Sequence, residues 1–433
     1  MARKPVQFTR VILGVLLLST VLAIPTNTVA ADLPLKNSED MPWPQFLGPS
    51  RNGISAEMGL LDTWPEDGPR EVWRMKSDVS MGGVAIAKGR LLTMTQNDGK
   101  QFVVARDAGT GKPIWRTAVA LQYRNQMGNG PRATPTISGD QVFVFTGQGM
   151  LVALSFEDGQ IAWSHNVLKE QFGKPADYGM SCSPLVVGNQ VIVTPGAPRA
   201  SVVAYDTQTG KLAWTTGTQD AACYSSPVLL NVGGKRQVVA LTGSSLMGIQ
   251  PSSGALLWRY PFVTDFGCNT SSPISVNGNV FISSGESHGC AMLSVEKEGD
   301  KYNVKEAWSS LGTKSVLRAE WQTTILLDGH LYGMDNVGGA GPITHLTCVE
   351  AATGERAWQV RRFGKSNLIA ADGKLFISTM KGELIVVRAN AEKYDEIGRA
   401  VVIGRTRQAP ALAHGLLYLR DNQEIVCLDV RKR

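Results

Sequence analysis

Short apolar runs, broken every five to ten residues by Gly, Asp or Asn, fill most of this chain. Residues 133–165 show the pattern well: ATPTIS, GDQVFVFTG, QGMLVALSF and EDGQIAWSH are β-branched and apolar stretches divided by turn residues. No part of that unit keeps a helical 3.6-residue period, so it reads as four short antiparallel strands. Each unit closes on a related phrase. ARDAGTGKPIW ends at Trp115, ALSFEDGQIAW at Trp163, AYDTQTGKLAW at Trp214, GIQPSSGALLW at Trp258 and CVEAATGERAW at Trp358, with a looser KYNVKEAW ending at Trp308. Successive tryptophans are 48, 51, 44, 50 and 50 residues apart. Four strands per unit at this period predict the blades of a β-propeller.

The phrase follows from that geometry. Gly210 supplies the positive φ of a tight turn between third and fourth strands, and Asp206 and Thr209 satisfy turn N–H groups. Ala204 is small because it faces the layer between blades. Trp214, four residues after the glycine, is expected to lie across the neighbouring blade and bury about 150–250 Å². Trp73, Trp115, Trp163, Trp214, Trp258, Trp308 and Trp358 are therefore read as docking residues.

Counting units gives the closure. Six end at tryptophans, and residues 365–403 make a seventh without its Trp. Residues 409–430 supply three strands of an eighth, and PREVWRMK, Pro69 to Lys76, carries the orphan Trp73 that would complete it. The expected fold is all-β: an eight-bladed propeller of four-stranded antiparallel blades, closed by an N-terminal strand so that no edge stays open.

The first residues belong to a different grammar. Arg3, Lys4 and Arg10 precede an apolar run of 14 residues, 11 to 24, and small residues end at Ala30 and Ala31. This reads as a cleavable export signal over 1–31, since a spanning helix needs about 20 apolar residues. No transmembrane anchor is expected after cleavage, and the expected location is periplasmic or secreted. Removing the signal takes three of the 43 Lys and Arg and none of the 37 Asp and Glu, lowering the formal net charge from +6 to +3. That is a weak basis for binding nucleic acid, and none is expected as a partner.

ARDAGTGKPIW and AYDTQTGKLAW match in full the Ala-x-Asp-x-x-Thr-Gly-x-x-x-Trp docking motif of quinoprotein propellers. On that motif the chain resembles the PQQ-like eight-bladed repeat family, which includes BamB-like exported propellers, over residues 72–433. Residues 32–71 look like the arm that often precedes such propellers, packed by Trp43, Phe46 and Trp64. Other units depart from the motif: Ser155 and Glu350 replace Asp, and Gly248 and Cys348 replace Ala.

The family implies two outcomes. Quinoprotein dehydrogenases hold PQQ and Ca²⁺ in the central funnel, whereas BamB-like members have no known cofactor. This chain has no adjacent cysteine pair and little length beyond strands and turns, so the main expectation is a non-catalytic binding or assembly module with a protein or peptide partner, without cofactor or metal. The alternative is a minimal PQQ-dependent alcohol or sugar dehydrogenase. Segments leading into each first strand offer candidate funnel residues: Arg132, Tyr178, Tyr224, Asn269, Arg318, Glu320, Trp321, Lys365 and Arg407. Arginines and aromatics at one mouth suit an anionic or planar ligand; the plainer reading is that they bond neighbouring blades. In the alternative, Trp321 stacks, Arg132 and Arg318 take carboxylates, and Glu320 or Asn269 stands near a metal.

The remaining motifs point to no chemistry. Cys182, Cys223, Cys268, Cys290, Cys348 and Cys427 form no Cys-x-x-Cys; exported cysteines can pair, but isolated buried thiols are the expectation. GESHG, 285 to 289, mimics a nucleophile elbow but continues as strand, where an elbow needs a following helix. GTGK, 109 to 112, lacks phosphate-loop spacing, and the five histidines show no zinc-ligand spacing.

Overall fold

The computed structural model describes residues 1–2, 42–65, 67–217, 220–338, 341 and 343–432. The export signal and residues 32–41 of the arm therefore lie outside the described residues, save Met1 and Ala2. Everything below concerns the compact unit Asn37–Arg433.

Eight four-stranded antiparallel sheets follow one another along the chain. Blade 1 is built from Val84–Ala87, Arg90–Asn97, Lys100–Asp107 and Pro113–Leu121. Blade 2 starts at Thr136–Ser138, blade 3 at Leu185–Val187, blade 4 at Val228–Val232 and blade 5 at Ile274–Val276. Blade 6 starts at Ile325–Leu327, blade 7 at Ser366–Ala371 and blade 8 at Ala411–Ala413. Blade 8 takes its fourth strand from the other end of the sequence: Arg70–Lys76 pairs antiparallel with Glu424–Asp429. The ring thus closes by hydrogen bonds, as the orphan Trp73 predicts.

Hydrophobic layers lie between blades rather than within them. Val142, Val144 and Val152 of blade 2 pack with Leu92, Met94 and Val103 of blade 1, and one continuous cluster joins blades 7, 8 and 1 across the closure. At that seam Arg420 is fully buried, donating to Thr93 Oγ1 at 2.6 Å and to the Met94 carbonyl at 3.3 Å. Burial lowers its pKa to about 10, and it grips the strands of blade 1 through neutral acceptors alone.

The repeated phrase does two jobs at once. Asp206 Oδ1 accepts from the Thr209 N–H and hydroxyl, both at 2.8 Å, which ties the turn. Gly210 has φ +68°, and a Cβ there would stand 2.8 Å from the Trp163 ring. Five of the seven docking indoles lie on the glycine of the following blade's turn: Trp115 on Gly159, Trp163 on Gly210, Trp214 on Gly254, Trp308 on Gly354, and Trp73 on Gly111; Trp358 meets a turn of blade 7 without that glycine and donates to Asn390 O at 2.8 Å. The indole N–H then reaches a carbonyl of that turn, as from Trp163 to Thr207 at 2.9 Å and from Trp308 to Ala351 at 3.0 Å.

Trp258 departs from this arrangement for a legible reason. Blade 5 has no Thr-Gly turn; it has a long hairpin, Gly289–Glu298 and Lys301–Leu311. Trp258 still packs in the layer between blades 4 and 5, but its N–H donates to Gln237 Oε1 of its own blade at 2.7 Å. A Cβ at residue 248 would lie 2.0 Å from the Trp258 Nε1. Glycine replaces alanine there because the indole occupies the methyl's place.

Candidate functional site

Five loops entering first strands carry a hydroxyl at one equivalent position. Thr134 N donates to Ser183 Oγ at 3.0 Å, Ser183 N to Ser226 Oγ at 2.9 Å, Ser226 N to Ser272 Oγ at 3.4 Å, and Ser272 N to Thr323 Oγ1 at 3.0 Å. Gly83 of blade 1 donates to Thr134 Oγ1 at 3.2 Å. The result is a hydroxyl belt joining blades 1 to 6 around the channel, satisfying loop N–H groups that no strand partner reaches. The sequence signal was the recurring Ser/Thr-Pro in ATP, CSP, SSP and SSP, where the proline ends the loop and the preceding hydroxyl faces the next blade.

The arm enters this channel. Trp43 pairs through its backbone with Ile86 of blade 1, and Pro44 accepts from Ile137 N of blade 2. Arg51 donates to the carbonyls of Ser183 and Pro184 in blade 3 at 2.8 and 2.9 Å, beside the belt. Ile54 bridges to Ala370 in blade 7, and Glu57 accepts from His414 and Gly415 in blade 8. Leu47 and Arg51 take positive φ and Gly48 and Gly53 follow suit, which folds this stretch tightly enough to cross the ring.

Most of the predicted funnel residues converge, but on one another. Trp321, Arg132 and Arg407 line a cavity of about 90 Å³ together with Trp43, Phe46 and Leu47 of the arm. Lys365 Nζ lies 4.1 Å from the Trp321 ring centre and the Arg407 guanidinium carbon 4.7 Å from it. Lys365 also pairs with Glu320 at 2.8 Å, both side chains largely buried. Burial pushes the Glu320 carboxyl up, against the pull of Lys365. Burial likewise holds Arg132 and Arg407 below the usual guanidinium range.

Arg132 is held entirely by neutral groups. It donates to the carbonyls of Tyr178, Gly130 and Gly128, at 2.5, 2.5 and 2.6 Å, and lies 4.7 Å over the Tyr123 ring. Tyr178 stacks obliquely on Tyr224 at 5.7 Å, and its N–H donates to the Tyr224 hydroxyl. Asn269 is fully buried beneath them: its carbonyl accepts from Tyr224 N, and its Nδ2 donates to Thr242 O at 2.8 Å. Among the described residues the Asn269 Oδ1 has no hydrogen-bond partner. Arg318 stands apart. Its guanidinium pairs with Asp335 at 2.7 and 2.9 Å in the floor of another cleft, between blades 5 and 6.

Sequence reasoning missed Tyr123, the arm's Arg51 and Asp335. Tyr123 follows the fourth strand of blade 1, away from the segments that lead directly into a first strand. Asp335 sits inside a second strand, where alternation alone does not mark it as a partner for Arg318.

The residues present fit a PQQ–Ca²⁺ pair poorly. Ligand pockets for molecules of that size run to about 300 Å³ or more; the cavity beside Trp321 holds about 90 Å³. The larger one of about 320 Å³ at Arg407 is lined without Trp321, by residues such as Met127, Arg405 and Asp421, and the aromatic surface offered by Trp321 already carries two cations. Calcium takes six to eight oxygen ligands; among the described residues no three of His, Cys, Asp and Glu are grouped to hold a metal ion. Of the two acceptors expected near a metal, Glu320 is paired with Lys365 and Asn269 Oδ1 is buried without a hydrogen-bond partner among the described residues. All six cysteines are free thiols, five of them buried. GESHG forms the turn between Asn279–Ser284 and Gly289–Glu298, with Glu286 and Ser287 at positive φ, and no helix follows. Among the described residues no helix is long and apolar enough to cross a membrane.

Comparison with known proteins gives the same architecture. The family model described as "Outer membrane protein assembly factor BamB" matches residues 65–173 and 103–360, well over half of the chain. A quinohemoprotein alcohol dehydrogenase, ADH IIB of Pseudomonas putida, is 34% identical over 138 residues, which is 29% of this chain and 19% of that protein. The outer membrane protein assembly factor BamB of Yersinia pestis is 25% identical over 173 residues, 37% of this chain and 39% of that protein. The chain thus matches about a fifth of the first relative's length and well under half of the second's. Among solved structures, BamB from Moraxella catarrhalis superposes with a TM-score of 0.60 at 14% identity, covering 83% of this chain and 99% of that one. Quinohemoprotein alcohol dehydrogenase from Comamonas testosteroni superposes with a TM-score of 0.66 at 14% identity, covering 90% and 80%. With eight blades, the docking phrase and the family match in hand, the chain belongs to the PQQ-like propeller family described by outer membrane protein assembly factor BamB.

Proposed function

We propose that the protein is an exported, non-catalytic propeller that binds or assembles a protein partner. The supporting observation is the self-filled channel. Trp321 carries two cations of its own chain, Glu320 is paired with Lys365, and the cavity beside Trp321, lined in part by the arm, is about 90 Å³. A propeller whose funnel is occupied by its own side chains has its loops and blade edges left for recognition. Residues 1–31, read as an export signal, support a partner in the periplasm or outside the cell, and the BamB relatives, by name assembly factors of the outer membrane, fit a partner-holding role.

A second reading, a minimal PQQ-dependent dehydrogenase, is favoured by the quinohemoprotein relative and by the unpartnered Asn269 Oδ1. Calorimetric titration of the mature protein with PQQ and Ca²⁺ separates the two. No heat of binding is expected; tight one-to-one binding would replace the first reading with the second.

A further inference from the structure

A cleft of about 350 Å³ opens between blades 5 and 6 and shares no lining residue with the channel cavity. Its floor is an ion pair and its rim is cationic. Asp335 is the single carboxylate in the lining, and Arg318 engages both of its oxygens from a position that is itself buried. Gln359 Nε2 adds a hydrogen bond to Asp335 Oδ2 at 3.3 Å. The floor therefore offers no free negative charge.

Four cations stand above it: Lys314, Arg356, Arg361 and Arg362, all exposed. Arg356 is oriented by the carbonyls of Ser315 and Val316 at 3.3 and 3.2 Å, and lies 3.9 Å from Asp335. Among the described residues no carboxylate lies within 4.0 Å of Lys314, Arg361 or Arg362. Arg362 takes a left-handed backbone, φ +56°, a conformation unfavourable for a residue with a Cβ. Its N–H donates to His345 Nδ1 at 2.9 Å, which leaves the imidazole proton on Nε2 as a further donor in the lining. Like charges gathered in one cleft repel unless an anion offsets them.

We propose that this cleft binds a compact oxyanion carrying two or more phosphate groups. A single carboxylate would leave most of the rim unpaired, whereas phosphate presents several acceptor oxygens that guanidinium groups engage in pairs. The volume suits a small molecule or a lipid headgroup, and the shared chemistry is the clustered phosphate.

Calorimetry with inorganic pyrophosphate tests the site, at about 50 and 200 mM salt. One-to-one binding that weakens with salt is expected. The double variant Arg361→Gln, Arg362→Gln should weaken it about tenfold or more, while Lys211→Gln, in a distant blade turn, leaves it unchanged. Lys314→Gln provides a second reduction of rim charge that leaves the Arg362 turn intact. The melting temperature of these variants should be unchanged or raised, because rim repulsion is relieved. Vesicles containing cardiolipin, whose headgroup carries two phosphates, divide the sources: binding that pyrophosphate displaces assigns a lipid headgroup, and pyrophosphate binding without vesicle binding assigns a soluble ligand. No pyrophosphate binding, or binding that the rim variants leave within about twofold, overturns the proposal.

Discussion

If the repeated phrase is a docking device, its glycine and its tryptophan must be energetically coupled across blades. Trp214 and Gly254 offer the sharpest test. Trp214 is nearly buried and donates to Pro251 O at 2.9 Å, while a Cβ at residue 254 would stand 2.6 Å from the indole Cδ2. Gly254→Ala therefore carries two penalties: about 1–2 kcal/mol for a left-handed alanine at φ +72°, and about 1–3 kcal/mol for overpacking against a ring that cannot withdraw. Trp214→Ala alone removes a large buried side chain and costs about 3–5 kcal/mol. In the double variant the overpacking has nothing to press against, so it should be more stable than the sum of the singles by about 1–3 kcal/mol. Gly373→Ala is the control: φ is +65° but nothing lies within 4 Å, so only the conformational penalty of about 1–2 kcal/mol applies. Urea unfolding followed by circular dichroism reads all four proteins without relying on tryptophan emission. Additivity within about 0.5 kcal/mol would refute the docking argument.

Three further outcomes follow from the same geometry. Deleting residues 32–76 removes both the arm and the strand that pairs with Glu424–Asp429, and should lower the melting temperature of the whole ring; an unchanged value would rule out closure by this strand. Native protein at pH 8 should react with a thiol reagent at Cys268 at most, because burial lifts Cys223 and Cys290 to about 12 and Cys348 to about 11, whereas all six should react after unfolding; fewer than six would reveal a disulfide. Asp62 holds the arm's exit through Lys374 and Lys432 at 3.1 and 2.5 Å, and the hydrogen bonds and charge of those lysines depress its carboxyl to about 2. A depressed carboxylate stabilises the fold above its unfolded pKa and loses that contribution as pH falls, so the protection factor of amides near Leu60, taken relative to the intrinsic exchange rate at each pH, should fall between about pH 4 and pH 2 in the wild type. Asp62→Asn should show the lowered protection already at neutral pH, and a wild-type protection factor that does not change with pH would contradict the assignment.

The blade count and closure were legible because the constraint that builds them is local. A turn needs its Gly, Asp and Thr within five residues, and the tryptophan that docks on the next blade keeps a fixed distance from them, so the phrase survives in sequence even where Asp becomes Ser155 or Glu350. Trp258 shows the boundary of that logic. Its partner turn is absent because of what blade 5 does some 40 residues later, and only the neighbouring Gly248 hints at the altered packing. The funnel was legible as a set of residue types and not as a set of bonds. Arg132 is satisfied by three carbonyls whose convergence depends on loop path, and Arg318 by an aspartate buried in a second strand. The arm's aromatic residues announced packing, but its route across the channel follows from contacts with blades 1, 2, 3, 7 and 8 that are scattered over the whole chain. Local turn chemistry writes itself into sequence; the pairing of buried charge does not.

The most direct measurement is turnover. Mature protein incubated with PQQ and Ca²⁺ and supplied with an artificial electron acceptor dye should reduce no dye with a panel of primary alcohols and aldose sugars, at protein concentrations where a loaded quinoprotein dehydrogenase gives a clear signal. Substrate-dependent dye reduction that Trp321→Ala and Glu320→Gln abolish would contradict the account and turn the self-filled channel into an active site.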